Sequence, residues 1–296
     1  MTDLQSCPPS RDGLLSGAAR LAGVVGSPIR HSLSPRLHGA WIRALALDAV
    51  YAPLPVHPDD FDQTVPHLGR LGFRGINVTL PFKERALKLA DSATERARRA
   101  GAANVLLFEP DGGVIADNTY GEGLLYALHR QAQGWRADLG PITILGAGGA
   151  ARGAVAALAA AGATDIRILN RTRARADALT EAAPCTAFSW DRAAAAFDGA
   201  ATVINATSGQ LTGDAPLPLP PASDPPIVVM DMVYKPLITP FLAAARSAGH
   251  RVVDGLDMLI GQAAPAFEAF YGAPPPPIDI RAVLLDSMTM TVETAP

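Results

Sequence analysis

Two serines set two residues apart, Ser32 and Ser34, lie in a polar run (residues 26–38) where an apolar stretch gives way to a helix-like pattern. Hydroxyls at that spacing can both reach one anion. Ser34 can equally cap the following helix, a common use of serine. A second polar run closes the stretch Gly75-Ile76-Asn77-Val78-Thr79-Leu80-Pro81-Phe82-Lys83. On a strand, Asn77 and Thr79 face the same side because side chains alternate. Two polar residues on one face of an apolar strand point to a ligand surface. Lys83 falls in the first turn of the next helix, where the dipole disfavours a cation. A lysine there is either solvated, the default for its type, or kept for chemistry such as proton transfer.

A third cluster is a glycine turn. Thr143-Ile144-Leu145 reads as a buried strand that runs into Gly146-Ala147-Gly148-Gly149-Ala150-Ala151 and then a helix. Gly146, Gly148 and Ala151 fit the G-x-G-x-x-G/A dinucleotide pattern. Gly146 permits the tight turn, Gly148 lets backbone approach a diphosphate, and Ala151 lets the helix pack on the strand. The helix N-terminus then offers free N–H groups to the phosphates. The next strand, from Ile166, ends in Asn170-Arg171-Thr172-Arg173, with Arg175 close behind. An NAD site usually carries Asp or Glu there for the ribose 2′-hydroxyl. A carboxylate repels a 2′-phosphate, whereas a guanidinium binds it through paired charge-assisted bonds. The pattern therefore indicates NADP. The competing interpretation is an ordinary strand-to-helix turn with solvated arginines.

The elements that position these groups follow from length and periodicity. The 296 residues suggest two domains. A hydrophobic fraction of 49% and a mean hydropathy of +0.17 allow a large core. No apolar run reaches the roughly 18 residues of a spanning helix, so no membrane partner is expected. The net charge of −3 offers no footprint for nucleic acid. Residues 1–17 read as a flexible tail without a signal-peptide core, which implies a cytoplasmic protein. Cys7 and Cys185 lie too far apart in sequence to suggest a disulfide framework, and Cys185 reads as a small buried hydrophobe. The six histidines show no metal-ligand spacing. His31 and His38 read as structural or cleft-lining, and no metal is expected.

Strands are expected at Leu21–Val25, Val50–Val56, Gly75–Leu80, Ala201–Asn205 and Ile227–Met232. Helices are expected at Pro35–Leu45, Pro58–Leu71, Pro81–Asp91, Gly121–Gln133, Ala150–Ala161, Met258–Tyr271 and Ile280–Met288. Asn104–Phe108 and Gly113–Ala116 form a hairpin around Asp111-Gly112, and residues 213–226 form a proline-rich surface loop. Alternating strands and helices imply an α/β protein with parallel sheets. The expected domains are a substrate domain of residues 18–120 plus 256–296 and a Rossmann NADP-binding domain of residues 121–255, with a cleft between them.

Taken in order, these segments resemble the shikimate dehydrogenase family, NADP-dependent enzymes that interconvert 3-dehydroshikimate and shikimate. The resemblance runs from about Leu21 to Phe270. It is carried by Gly26-x-Pro28-Ile29-x-His31-Ser32-x-Ser34-Pro35, Asn77-Val78-Thr79-x-Pro81-x-Lys83, Gly101-Ala102-x-Asn104 and the glycine turn. Further on come Asn170-Arg171-Thr172, Ile204-Asn205-Ala206-Thr207-Ser208, Asp231-Met232-x-Tyr234 and Gly255-Leu256-x-Met258-Leu259-x-x-Gln262-Ala263. The resemblance implies that Ser32 and Ser34 hold the substrate carboxylate and that Asn77, Thr79 and Asn104 bond ring hydroxyls or carboxylate. It makes Lys83 the acid/base for hydride transfer and brings Gln262 and Tyr234 to the substrate. It assigns Gly146, Ala147, Gly148, Gly149 and Ala150 to the diphosphate. Asn170, Arg171, Thr172 and Arg175 meet the adenosine ribose and 2′-phosphate, and Thr207, Met232 and Gly255 lie by the nicotinamide half. The implied partner is a small shikimate-like hydroxy acid, handled by a monomer or homodimer.

One match fails. The family motif reads N-T-D-G, and its Asp pairs with the catalytic lysine. This chain reads Asn118-Thr119-Tyr120-Gly121. Tyrosine supplies one hydrogen bond, no charge at neutral pH, and more bulk. Either the pocket is retuned, toward slow shikimate turnover or a quinate- or aminoshikimate-type substrate, or Asp117 or another carboxylate stands in. A non-catalytic NADP and ligand sensor is the alternative from another class, and the retained Lys83 argues against it.

Overall fold

Short apolar runs rich in valine and isoleucine, ended by glycine, proline or a polar pair, become strands here. A computed structural model describes residues 14–182, 184–207 and 216–293. Cys7, most of the expected tail and the start of the proline-rich loop lie outside those residues. The chain divides into two compact units. One comprises the chain up to Arg98, Ala102–Thr119 and everything from Gln262 on; the other comprises Arg99–Gly101 and Tyr120–Gly261.

The first unit opens with strand β1 (Arg20–Gly26), helix α1 (Ser34–Ala44) and strand β2 (Ala49–Pro55). The helix expected over 58–71 is instead a short 3-10 turn, Pro58–Asp60, followed by α2 (Phe61–Arg70). Such turns commonly start helices. Next come β3 (Phe73–Val78), α3 (Lys83–Leu89), β4 (Ser92–Ala93), α4 (Glu95–Ala100), β5 (Val105–Phe108) and β6 (Val114–Asp117). The sheet order is β2-β1-β3-β5-β6-β4. This sheet is mixed, not parallel as expected: β1 lies parallel to β2 and β3, but β5 runs antiparallel to both β3 and β6. The β5–β6 reversal comes from the expected short turn, closed by Gly112 at φ 94° and by the bond from Glu109 N–H to the Gly113 carbonyl at 2.8 Å. Parallel neighbours need a crossover of a dozen or more residues. Phe61 and Phe82 stack at 4.4 Å between centroids in the core under this sheet. That stack anchors the chain just before Lys83.

The second unit comprises α5 (Tyr120–Gln131), β7 (Ile142–Leu145), α6 (Gly149–Ala160), β8 (Ile166–Asn170), α7 (Arg173–Ala182) and β9 (Thr186–Ser189). It continues with α8 (Ala193–Phe197), β10 (Thr202–Asn205), β11 (Val228–Asp231), α9 (Pro240–Ser247) and β12 (Arg251–Val253). Its strand order is β12-β11-β10-β7-β8-β9 and every pairing is parallel. That is the doubly wound dinucleotide order, with its switch point between β7 and β10. Ile142 and Ile144 face a core built with α5 and α6, while Leu145 faces one built with α8 and α9. Both sheet faces are therefore covered, as parallel sheets require. Helix α10 (Leu256–Tyr271) begins in this unit and ends in the first, and α11 (Ile280–Glu293) follows. No described helix is long and apolar enough to cross a membrane.

Candidate active site

In the first unit, the ends of β1 and β3 are held together. Ser27 N–H bonds the Leu80 carbonyl at 3.1 Å and Thr79 N–H bonds the Val25 carbonyl at 2.9 Å. A Cβ on Gly26 would stand 2.5 Å from Thr79 Cγ2 and 2.9 Å from Ile29 Cδ1. Only glycine lets the serine loop approach Thr79 this closely. The α1 N-cap is Leu33, with no side-chain cap bond. The capping role open to Ser34 is thus not the one it takes. Ser32 Oγ accepts the Ser34 N–H at 3.3 Å, and the Ser34 hydroxyl bonds the Tyr51 hydroxyl.

Tyr51, on β2, is the residue the sequence did not single out. Its hydroxyl donates to Asn77 Oδ1 at 2.6 Å, and Asn77 Nδ2 donates to the Asn104 carbonyl at 3.2 Å. A backbone carbonyl only accepts, so the orientation of the Asn77 amide is determined. Burial pushes the Tyr51 phenol well above its ordinary range, nearby Tyr271 pushes the same way, and the Ser34 bond offsets part of this. The His38 ring stacks on Tyr51 at 3.9 Å. Burial brings His38 down to about 3, so it stays neutral.

Asn104 extends the network. Its Oδ1 accepts the Thr119 N–H at 2.8 Å, and its Nδ2 donates to Thr119 Oγ1 at 3.0 Å and to Gln262 Oε1 at 3.2 Å. The Thr119 hydroxyl also donates to the Gln262 carbonyl at 2.8 Å. Thr119 was visible only as a member of the N-T-x-G motif. Helix α3 begins at Lys83, later than the expected start at Pro81, because Phe82 N–H first closes a turn onto the Thr79 carbonyl at 3.0 Å. The Lys83 carbonyl accepts the Ala103 N–H at 2.9 Å, one residue from Asn104. Ser32, Ser34, Asn77, Thr79, Lys83, Asn104 and Gln262 are thus all tied together within one unit.

Asp117 is not a free substitute for the missing carboxylate. It accepts from Thr94 Oγ1 at 2.6 Å, from Arg96 Nε at 2.6 Å and from the Asn118 N–H at 2.8 Å, and it ion-pairs with Arg96 Nη2. Burial alone would raise its pKa. The Arg96 and Thr94 bonds and the Arg96 charge outweigh burial and hold it below the usual carboxylate range. Tyr120 and Tyr234 belong to the second unit, where Tyr120 starts α5 and packs against the core around Leu124 and Ile144.

In the second unit, Gly146 has φ 107°, a conformation that side chains rarely adopt. A Cβ there would lie 2.9 Å from Thr207 Cγ2, so the glycine turn sits beside the end of β10. Gly148 is the N-cap of α6, with no side-chain cap bond, and a Cβ on it would meet nothing within 4 Å. Space is therefore open beside Gly148 at the start of α6, which suits a diphosphate. Ala147, Gly149 and Ala150 complete the turn. Ala151 is fully buried against the sheet. At the end of β8, Asn170 Nδ2 bonds the Thr172 carbonyl at 2.8 Å and Arg175 N–H bonds the same carbonyl at 3.0 Å. Arg171 and Arg175 are exposed there, while Arg173 pairs with Asp177 at 2.8 Å. The donor set is cationic and fits a 2′-phosphate. A Cβ on Gly255 would stand 2.5 Å from the Met232 carbonyl oxygen, so those backbones touch.

Residues 24–106 match the model for the shikimate dehydrogenase substrate binding domain, and residues 131–213 match that for shikimate/quinate 5-dehydrogenase. The chain is 52% identical over 278 residues to shikimate dehydrogenase (NADP(+)) of Caulobacter vibrioides, covering 92% of this chain and 96% of that one. It is 46% identical to the enzyme of that name from Paracoccus denitrificans, covering 87% and 92%. Among solved structures, it is similar to shikimate 5-dehydrogenase from Thermus thermophilus in complex with NADP(H) and shikimate. The TM-score is 0.80 at 34% identity, covering 90% of this chain and 99% of that one.

Proposed function

The chain belongs to the shikimate dehydrogenase family, and from that premise we propose how its own residues carry the family reaction. The protein is an NADP-dependent oxidoreductase that interconverts 3-dehydroshikimate and shikimate. Gly146 to Ala150 and the start of α6 hold the diphosphate, and Arg171 and Arg175, with Asn170 and Thr172, hold the 2′-phosphate and ribose. Thr207, Met232 and Gly255 flank the nicotinamide half. Bound cofactor supplies or takes up the hydride.

Ser32 and Ser34 donate to the substrate carboxylate. Asn77, Thr79, Asn104 and Gln262 orient the ring. The Lys83 ammonium gives its Nζ proton to the oxygen of the carbonyl under reduction, and its amine takes that proton back in oxidation. The observation that carries this reading is the unbroken run of bonds Ser34–Tyr51–Asn77–Asn104–Gln262, with Lys83 tied to it through Ala103. Such a network holds the side chains of Tyr51, Asn77, Asn104 and Gln262 in single rotamers before the substrate arrives, and the Ala103 bond fixes the backbone at Lys83. NADP+ reduction with shikimate, quinate and aminoshikimate, each also with NAD+, tests it. Shikimate with NADP+ is expected to be the best pair, and turnover with NAD+ alone overturns the assignment.

Tyr120 supports a second statement, that the pocket is retuned relative to relatives carrying Asp at this position. A neutral phenol cannot replace the charge of a carboxylate, and Asp117 is engaged by Arg96. Tyr120→Asp is therefore expected to raise the rate with shikimate. No gain in that variant removes tyrosine as the limiting feature.

A further inference from the structure

At the C-terminal ends of β10 and β11 lies a buried polar relay that the reaction above does not use. Asp231 is fully buried. Its Oδ1 accepts from Asn205 Nδ2 and from the Val233 N–H, each at 3.0 Å, and its Oδ2 accepts from Thr239 Oγ1 at 2.7 Å. Asn205, also fully buried, turns its Oδ1 to the Thr207 N–H at 3.0 Å and the Thr207 hydroxyl at 2.7 Å. A backbone N–H only donates, so the Asn205 amide is oriented without ambiguity and its NH2 points at Asp231. Among the described residues no lysine or arginine pairs with Asp231. Burial raises its pKa, and the three donors offset part of that shift. A carboxylate buried against neutral donors alone is costly, since buried charges are normally paired. Neutral residues of similar shape would serve the fold as well, so the charge itself calls for a use.

Its position supplies one. Met232 follows Asp231 directly, and its N–H bonds the Asn205 carbonyl at 3.0 Å. Thr207 hangs on the Asn205 amide. We propose that the Asp231 carboxylate, behind Thr207 and Met232, biases cofactor binding toward NADP+, whose nicotinamide ring is cationic, over NADPH, whose ring is neutral. The inference rests on the reading above that places Thr207 and Met232 at the nicotinamide half. Adjacent Cα atoms stand about 3.8 Å apart, so a group against Met232 is on the order of 10 Å from the carboxylate. An opposite unit charge at that range, in a partly buried site, shifts an equilibrium on the order of tenfold.

Asp231→Asn isolates the charge. Its Oδ1 keeps both N–H donors, and its Nδ2 donates to Thr239 Oγ1, so the network survives with one bond reversed. Dissociation constants for NADP+, NADPH and 2′,5′-ADP are measured by titration of the purified protein. Asp231→Asn is expected to weaken NADP+ on the order of tenfold while NADPH and 2′,5′-ADP move by less than about twofold. Thr239→Val removes a donor but keeps the charge, and its NADP+ to NADPH ratio is expected to match wild type. If Asp231→Asn does not fold, Asp231→Ser is read by the same criterion. An unmoved ratio in the neutral variant, or an equal shift in Thr239→Val, overturns the inference. Wild-type protein that binds neither NADP+ nor NADPH refutes the cofactor assignment beneath it. Wild-type protein that binds both, with the ratio unmoved in Asp231→Asn, refutes this inference alone.

Discussion

Truncating Asn104 tests whether the polar network is both scaffold and ligand surface. Asn104 is 3% exposed and Thr119 1%, so water cannot replace the lost amide. Asn104→Ala strands the Thr119 N–H, which costs about 1–3 kcal/mol, and drops the bond to Gln262, worth about 0.5–1.5 kcal/mol. The sum, roughly 2–4 kcal/mol, lowers the melting temperature by roughly 5–15 °C. The Asn104 carbonyl still accepts from Asn77 Nδ2, because that bond is to backbone. Substrate affinity falls because Gln262 is released and the Asn104 amide is gone. KM for shikimate is therefore expected to rise on the order of 10- to 100-fold, while KM for NADP+ holds. Gln262→Ala separates the two roles. It keeps the Asn104 Oδ1 bond to the Thr119 N–H and the Thr119 bond to the residue 262 carbonyl, and so most of the melting temperature, but it removes a side chain placed at the substrate and leaves KM high. Thermal melts and initial rates of NADPH formation read both effects. An Asn104→Ala variant that melts within about 2 °C of wild type, or a Gln262→Ala variant with wild-type KM, refutes the reasoning.

Lys83→Ala should lose on the order of 100-fold or more in kcat, the usual yield of a general acid–base group, with the dissociation constant for NADP+ unchanged by titration. Arg171→Glu and Arg175→Glu place a carboxylate against the 2′-phosphate, so KM for NADP+ should rise on the order of tenfold or more while NAD+ gains; equal KM values for the two cofactors in wild type would contradict this. His38 stays neutral in the fold at about 3 but takes a proton below 6.5 once unfolded. The fold therefore loses stability as pH drops from about 6.5 toward 3, by up to about 1.4 kcal/mol per pH unit from this group. His38→Phe keeps the ring on Tyr51 and removes two buried nitrogens that have no partner among the described residues. Its melting temperature should be higher near pH 5 and less steep with pH, and a slope equal to wild type in thermal melts would exclude His38 as its source.

The glycine turn was legible because its demands are local. Gly146 takes φ 107°, where side chains rarely fit, and a glycine at 148 is what close approach of a diphosphate asks for; few residue strings supply both between a strand and a helix. The parallel second sheet followed from the alternation of strand and helix patterns around that turn. The hairpin at Asp111-Gly112 was legible, but the first sheet was misjudged as parallel because β5 also pairs antiparallel with β3, and pairing partners are not written in periodicity. Ser34 shows the same limit at a single side chain. Its spacing allowed a cap or an anion ligand; the structure shows no side-chain cap bond and turns its hydroxyl to Tyr51, which approaches from another strand.

By itself, the chain determined which chemistries were present: a turn for a diphosphate, arginines where NAD sites carry an acid, hydroxyls and amides at strand ends, and a lysine opening a helix. It also determined that Tyr120 stands where the family has Asp. Tertiary structure alone decided which groups meet. Tyr51 joins Ser34 to Asn77, Asn104 reaches Gln262 across 158 positions, Arg96 occupies Asp117, and Asp231 is buried with no cation paired to it among the described residues. The reason is physical. Backbone conformation depends on residues a few positions apart, whereas hydrogen-bond partners and buried charges depend on which strands lie side by side, and that is settled by packing the whole core.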